Sequence, residues 1–154
     1  MNKFKLIINI ILLILWMGVI FNFSNDNGEK SSSKSERFLI KTAEIIKHKE
    51  LTAKEKEEII NKYSLPIRKC AHMFVYCVLG ILAYLLLHQF YGLQPITIIY
   101  TLIFCFIYAC TDEIHQLFIN GRSGQFLDVL IDTCGSLISL IIPIIKTIKN
   151  KKMI

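Results

Sequence analysis

Residues 4–23, FKLIINIILLILWMGVIFNF, decide the class of fold. Asn9 is the one polar residue inside an apolar run whose ends carry Lys5 and Asn22, and the whole stretch is about twenty residues long. A helix of roughly 20 apolar residues crosses ~30 Å of hydrocarbon, so this stretch is long enough to span a membrane. A cleavable signal peptide has a shorter apolar core followed by a site of small residues. Since no such site follows Phe23, we expect an uncleaved signal anchor.

The distribution of charge extends this conclusion to the rest of the chain. Hydrophobic residues make up 53% of the 154 residues and charged residues 19%, against about 25% charged in a typical soluble domain. Between residues 70 and 145 the charged residues are only five: Asp112, Glu113, Arg122, Asp128 and Asp132. This pattern excludes a disordered chain and a conventional soluble enzyme. The net charge of +6 does not indicate a nucleic-acid partner, because the basic residues are interleaved with acidic ones and no aromatic residues alternate with them.

Three further apolar stretches predict membrane helices at 67–88, 96–118 and 126–145. The hydrophilic stretch 24–66 separates the first two membrane helices. We therefore predict an all-α integral membrane protein in which residues 1–154 form a single domain. Its architecture would be a four-transmembrane-helix bundle with a helical hydrophilic connector between helices 1 and 2.

Two capping-box patterns lie in the connector. Ser33 precedes Glu36, and Thr52 precedes Glu55, each by three residues. They predict two short amphipathic helices that lie on the membrane surface or over the mouth of the bundle. A connector that is only a solvated link remains the alternative. Pro66 is expected in the first turn of the second membrane helix, where a missing N–H costs nothing.

Polar residues gather at one end of the predicted bundle. Arg68, His72 and Tyr76 are four residues apart and share one helical stripe. An up-down-up-down bundle brings the start of the second helix, the end of the third and the start of the fourth to the same side. The expected polar site contains Arg68, Lys69, His72, Tyr76, Asp112, Glu113, Gln116, Arg122, Asp128 and Asp132. Ionisable groups inside membrane segments are costly and usually functional.

Pairing within this site is a further expectation. We predict that Arg68 or Arg122 lies within ion-pair distance of at least one of the four carboxylates, because an unpaired buried charge is strongly destabilising. A network that only holds the helix ends in register is the alternative, although one or two pairs would suffice for it. His115 could belong to the site or to the packing. The cysteines lie in or beside apolar stretches and are expected to be packing residues without disulfides.

The combined motifs resemble the VanZ-like family. They are Arg68-Lys-Cys-Ala-His72-x-x-x-Tyr76, then Asp112-Glu-Ile-His-Gln-Leu-Phe118, then Gly121-Arg-Ser-Gly124, and finally Asp128-Val-x-x-Asp132-x-x-Gly135. The resemblance covers nearly the whole chain, and residues 25–64 match least. Asn120 stands where the family often has proline. The resemblance implies a small bacterial integral membrane protein, and the family's named member is associated with low-level resistance to the glycopeptide teicoplanin. It implies no established reaction.

The function that these residues favour is binding or remodelling of an envelope component. Arg68, Lys69 and Arg122 would contact phosphate or carboxylate groups. The expected partners are membrane lipids and a lipid-linked wall precursor or lipoglycopeptide, without nucleic acid. A membrane-embedded hydrolase or transferase acting on an envelope lipid is the main alternative, with a divalent metal as a candidate cofactor held by carboxylates and histidines. No other cofactor is evident. A translocator or a purely structural role would also be compatible, and the sequence does not decide whether the protein is an enzyme or what its oligomeric state is.

Two signals disagree about orientation in the bacterial cell membrane. With both termini inside, the cytoplasm receives six Lys/Arg, while the opposite side receives eleven from the connector region plus Arg122. The raw positive-inside rule favours the reverse orientation. Lys3 and Lys5 nevertheless precede the first span directly, and the tail lysines have no acidic neighbours. We therefore predict a multi-pass protein with N-in and C-in termini and an extracellular polar site.

Overall fold

The computed structural model describes residues 3–152, and within this range the chain is helical without strands. The helices are α1 Lys3–Ser24, α2 Gly28–Lys47, α3 Ala53–Tyr91, α4 Pro95–Gln116, α5 Phe126–Ser139 and α6 Ile141–Lys152. Three of these, α1, α3 and α4, are long and apolar enough to cross a membrane. The number rises to four if α5 and α6 together form one bent span. The prediction of an all-helical membrane protein is confirmed at this level.

The predicted fourth membrane helix is a bent pair of helices. Helices α5 and α6 meet at Leu140 at an angle of 50°. Pro143 explains the position of the break, because it lacks an N–H and its ring clashes with the carbonyl four residues earlier. That carbonyl belongs to Ser139, the last residue of α5. The prediction of one continuous helix over 126–145 overlooked this effect.

The connector forms helices, but only one of the two predicted caps exists. Helix α2 begins at Gly28, five residues before Ser33, so the predicted cap at Ser33 is wrong. A tertiary contact explains the earlier start, since the Gly28 N–H donates to the Asn120 carbonyl at 3.2 Å. The capping box of Thr52 and Glu55 is confirmed. Hydrogen bonds from Lys49 and from the Thr52 backbone lower the pKa of Glu55 to about 2, so this cap stays ionised at neutral pH.

Helix α3 continues through the predicted start of the second membrane helix. It has 39 residues, and Pro66 lies in its interior, so the placement of Pro66 in a first turn is wrong. At 1.5 Å per residue the helix is about 58 Å long, roughly twice the hydrocarbon thickness. Its N-terminal part therefore extends beyond the membrane. Tyr63 and Ile67, on either side of the proline, line a groove shared with α2.

Helix α2 packs against this N-terminal part of α3. Apolar residues of both helices line their shared groove, among them Leu39, Ala43, Ile46, Ile59 and Tyr63. Ion pairs such as Lys56 with Glu44 at 3.2 Å lie along its edges. The two connector helices are thus a hairpin, and the first turns of α2 lie over the polar end of the bundle.

Within the bundle, α3 and α5 approach each other through small residues. A Cβ atom at Gly135 would overlap the Met73 carbonyl oxygen, and one at Gly80 would overlap the Ser139 side chain. The Ser136 hydroxyl donates to the Tyr76 carbonyl at 3.1 Å. Small residues permit this close approach of helix backbones.

Helix α1 contacts the bundle along a narrow stripe. Leu13, Ile20 and Ser24 are its buried residues, and most of its apolar side chains are exposed, as expected for a surface facing lipid. Polar contacts add to this packing. The Trp16 indole donates to the Val75 carbonyl at 3.0 Å, and the Tyr108 hydroxyl donates to the Met17 carbonyl at 2.7 Å. These bonds fix α1 against α3 and α4 just below the polar site.

Candidate functional site

The structure brings the predicted polar residues together at one end of the bundle. The end of α1, the start of α2, the middle of α3, the end of α4 and the start of α5 meet there. A cavity of about 80 Å³ lies among them. The predicted residues in its wall are Arg68, Lys69, His72, Gln116, Arg122, Asp128 and Asp132. Tyr76 and Asp112 line the adjoining cavity, and Glu113 lies beside Asp112 and Asp132.

The ion pair that the structure forms is not the one expected. The Lys69 ammonium lies 2.9 Å from an Asp128 carboxylate oxygen, and both side chains are half-buried. Neither arginine forms an ion pair with any of the four predicted carboxylates, which all lie in the described range. The prediction that Arg68 or Arg122 pairs with one of them is therefore wrong.

Arg122 instead binds the end of α1. Its Nε donates to the Asp26 carbonyl and its Nη2 to the Phe23 carbonyl, each at 2.8 Å. The last carbonyls of a helix lack partners within the helix and carry partial negative charge, and the last turn of α1 has no basic residue of its own. Burial lowers the pKa of Arg122 from its ordinary value, opposed first by Asp112. The ordinary value is so high that the group stays charged.

Arg68 has no hydrogen bond or ion pair within the described part of the chain, although its side chain is only partly exposed. It lines both cavities, as do His72 and Arg122. Its guanidinium is therefore available to an anion entering from either cavity. A guanidinium can bind phosphate or carboxylate through two parallel hydrogen bonds.

Three carboxylates form a buried cluster on the inner side of this cavity. Asp112, Glu113 and Asp132 each have an oxygen within 4.8 Å of the others. Gln116 donates to Asp112 Oδ2 at 3.2 Å, and the Gln125 backbone N–H donates to Glu113 Oε2 at 2.8 Å. Asp132 is 0% exposed, and neither of its carboxylate oxygens has a hydrogen-bond partner among the described residues. His72 Nδ1 is 3.8 Å from Asp132 Oδ1, which is too long for a hydrogen bond.

The second cavity is larger and mostly apolar. It has a volume of about 200 Å³ and is lined from α1 by Ile20 and Phe23 and from α3 by Ala71 and Val75. Arg68, His72, Tyr76, Asp112 and Arg122 line it as well. The Tyr76 side chain is 0% exposed, and its hydroxyl has no hydrogen-bond partner in residues 3–152 as far as the structure describes them. An amphipathic cavity of this kind suits a ligand with a charged group and a hydrocarbon part.

Sequence reasoning missed several contributors to the site. Ser31 lines both cavities and Gly28 lines the first. Both lie in the connector, to which the sequence analysis assigned no site residue. The Gln125 backbone was missed because its role depends on the turn before α5. His115, left undecided above, stacks on Phe21 with ring centroids 4.6 Å apart and lines neither cavity.

The chain matches a known protein family over most of its length. The family model described as VanZ/LLP1 matches residues 9–147. This range contains all ten predicted site residues together with the connector hairpin. The comparison with curated proteins found no match, and neither did the comparison with solved structures.

Proposed function

We propose, from the premise that the chain belongs to the VanZ/LLP1 family, that it binds the phosphate-bearing headgroup of an envelope lipid at the polar end of the bundle. The headgroup would occupy the cavity beside Arg68, and the hydrocarbon part would lie between α1 and α3. In this proposal the protein acts at the bacterial cell envelope, and its ligand is a membrane lipid or a lipid-linked wall precursor.

The observation that carries this proposal is the state of Arg68. Its guanidinium lies in the shared wall of two cavities without a partner in the described residues, whereas Lys69 is paired with Asp128. Arginine is the residue best suited to bidentate recognition of phosphate. Arg122 lies on the same wall and adds positive charge. Neither Arg68 nor Arg122 is paired with any of the four site carboxylates, and two such cations favour an anionic ligand.

The shape of the second cavity supports a lipid over a small soluble anion. Ile20, Phe23, Ala71 and Val75 form its apolar wall. Ala71 and Phe23 are themselves exposed on the outer surface of the bundle, so this wall adjoins the region that faces hydrocarbon. A lipid could therefore enter sideways from the bilayer, with its charged group reaching Arg68.

Binding can be tested by native mass spectrometry of the purified protein in detergent with added phosphatidylglycerol or phosphatidylcholine. We expect phosphatidylglycerol to bind more tightly, and Arg68→Gln to weaken its binding about tenfold, because a charged hydrogen bond contributes roughly 1.5–3 kcal/mol. Arg37→Gln is the matched control, since Arg37 is exposed on α2 away from both cavities. Equal binding by the wild type and Arg68→Gln would contradict the proposal.

The family's association with glycopeptide resistance suggests a cellular consequence. We propose that expression raises the teicoplanin resistance of a susceptible bacterium through this site. Asp112→Ala, Glu113→Ala, Arg122→Ala and Asp128→Ala should each abolish the effect at normal membrane levels, measured as the minimal inhibitory concentration. Changes at Lys47, Lys54 or Glu57 should have little effect, because these residues lie on the exposed hairpin. Full resistance in all four site variants would show that the polar site is not responsible.

A membrane-embedded hydrolase or transferase is the second candidate function. The three-carboxylate cluster and the nearby imidazole of His72 favour it, since a general base needs an acceptor close to the bound substrate. The two candidate functions differ in whether the bound lipid is chemically converted. Release of a lipid fragment from bound substrate would favour the enzyme, and recovery of unchanged lipid would favour binding alone.

The proposed orientation is N-in and C-in, with the site on the extracellular side. In a background without native cysteines, Ser33→Cys should react with a membrane-impermeant maleimide on intact cells. Asn150→Cys should react only after lysis. The opposite labelling pattern would place the site in the cytoplasm and remove the case for an extracellular wall precursor as ligand.

A further inference from the structure

We propose that Asp112, Glu113 and Asp132 bind one divalent cation of the oxygen-preferring class, Mg²⁺, Mn²⁺ or Ca²⁺. This goes beyond the proposed function, because Arg68 can bind a phosphate without a metal. The three residues come from α4 and α5. A bound ion would therefore also connect two helices at the base of the first cavity.

The spacing of the oxygens fits a single ion. One oxygen from each carboxylate lies within 4.8 Å of the other two. Oxygen ligands lie about 2.0–2.6 Å from Mg²⁺ or Ca²⁺, so two ligands on opposite sides of one ion are about 4–5 Å apart. All three carboxylates can thus reach the same ion with small side-chain adjustments.

Part of the cluster also lacks compensating partners. Asp132 is completely buried, and within the described part of the chain its two carboxylate oxygens and Glu113 Oε1 have no hydrogen-bond partner. Burying an ionised carboxylate without a partner is costly. Lys69 is paired with Asp128 and Arg122 binds backbone carbonyls, while the His72 imidazole lies 3.8 Å from Asp132. A divalent cation would supply the missing positive charge.

The chemistry of the donors selects the class of ion. The three ligands are carboxylates, which suit Mg²⁺, Ca²⁺ and Mn²⁺ better than softer metals. Asp132 also lines the first cavity, whose volume of about 80 Å³ is enough for the waters that would complete the coordination. The same cavity gives an ion a polar route to the cluster.

The competing explanation is that the carboxylates share protons. Like charges in one site cannot all ionise, and one or more would then remain neutral. A metal titration distinguishes the two explanations, because a cluster that only shares protons takes up no metal.

The test is titration of Mn²⁺ into the purified full-length protein in detergent, followed by electron paramagnetic resonance of free Mn²⁺. We expect about one bound ion per chain, displaced by excess Mg²⁺ or Ca²⁺, without added lipid. Asp132→Asn and Glu113→Gln should each weaken binding at least about tenfold. Glu57→Gln, which removes an exposed carboxylate of the hairpin, should bind like the wild type.

The outcomes separate this inference from lipid binding. Wild-type protein that takes up no Mn²⁺, or that loses it equally in Glu57→Gln, overturns the cation site whatever the lipid assay shows. Mn²⁺ binding that is lost only in the cluster variants supports the site, even if phosphatidylglycerol does not bind. Thermal unfolding of each variant without metal establishes whether it is folded, and a folded Asp132→Asn or Glu113→Gln variant that retains Mn²⁺ binding also overturns the inference.

Discussion

Replacing Gly135 with leucine is expected to prevent assembly of the bundle. A Cβ atom at this position would overlap the backbone carbonyl of Met73 on α3, and backbone atoms cannot move aside as a flexible side chain can. Overpacking commonly costs 1–3 kcal/mol, and a collision with backbone lies at or above the top of that range. Because α3 and α5 both line the first cavity, their separation would also remove that cavity.

Gly18 provides the matched control for this variant. It lies on α1, and nothing would lie within 4 Å of a Cβ atom added there. We expect Gly18→Leu to remain folded, whereas Gly135→Leu should elute as aggregate or unfold at a much lower temperature. Fluorescence-detected size-exclusion chromatography with a heating series measures both properties. Equal stability of the two variants would contradict the close packing of α3 on α5.

Arg122→Ala is expected to loosen the contact between α1 and the loop before α5. The variant loses charged hydrogen bonds to the Phe23 and Asp26 carbonyls. Such bonds each contribute roughly 1.5–3 kcal/mol, and partial exposure reduces the value, so we expect a loss of about 2 kcal/mol. The favourable interaction of a cation with the C-terminus of α1 is lost as well. Since Arg122 lines both cavities, anionic lipid binding should also weaken.

Arg122→Lys distinguishes these two effects. A lysine keeps the positive charge but cannot donate in the fixed geometry of a guanidinium. We expect it to recover part of the lipid binding and little of the thermal stability. Arg37→Ala, which removes a charge from an exposed site, should change neither property. Unchanged unfolding temperature in Arg122→Ala would show that the bonds to α1 contribute nothing.

The sequence predicted which polar residues meet at the site. The length of each apolar stretch determines the end of the bundle at which a polar residue lies, and the i,i+4 spacing determines the face of its helix. It did not predict how they pair. Lys69 rather than Arg68 pairs with Asp128, since pairing depends on the rotation and separation of α3 and α5. Pattern alone does not give these quantities.

The errors in helix boundaries have similar causes. Ser33 is of a residue type that commonly caps helices, but the contact of Gly28 with the Asn120 backbone lets α2 begin earlier. Pro66 lies inside α3, between Tyr63 and Ile67, which line the groove shared with α2. Pro143, by contrast, breaks the last helix pair. The difference between the two prolines is tertiary, and no local rule separates them.

The most direct test of the central claim is photo-crosslinking with lipids that carry a diazirine on the acyl chain, followed by mapping of the modified residues by mass spectrometry. With phosphatidylglycerol as the lipid, we expect adducts on the apolar wall of the second cavity, at Ile20, Phe23, Ala71 and Val75. These adducts should be lost in Arg68→Gln and should be rare with phosphatidylcholine. Adducts of equal yield for both headgroups, unchanged by Arg68→Gln, would contradict recognition of an anionic lipid by this site.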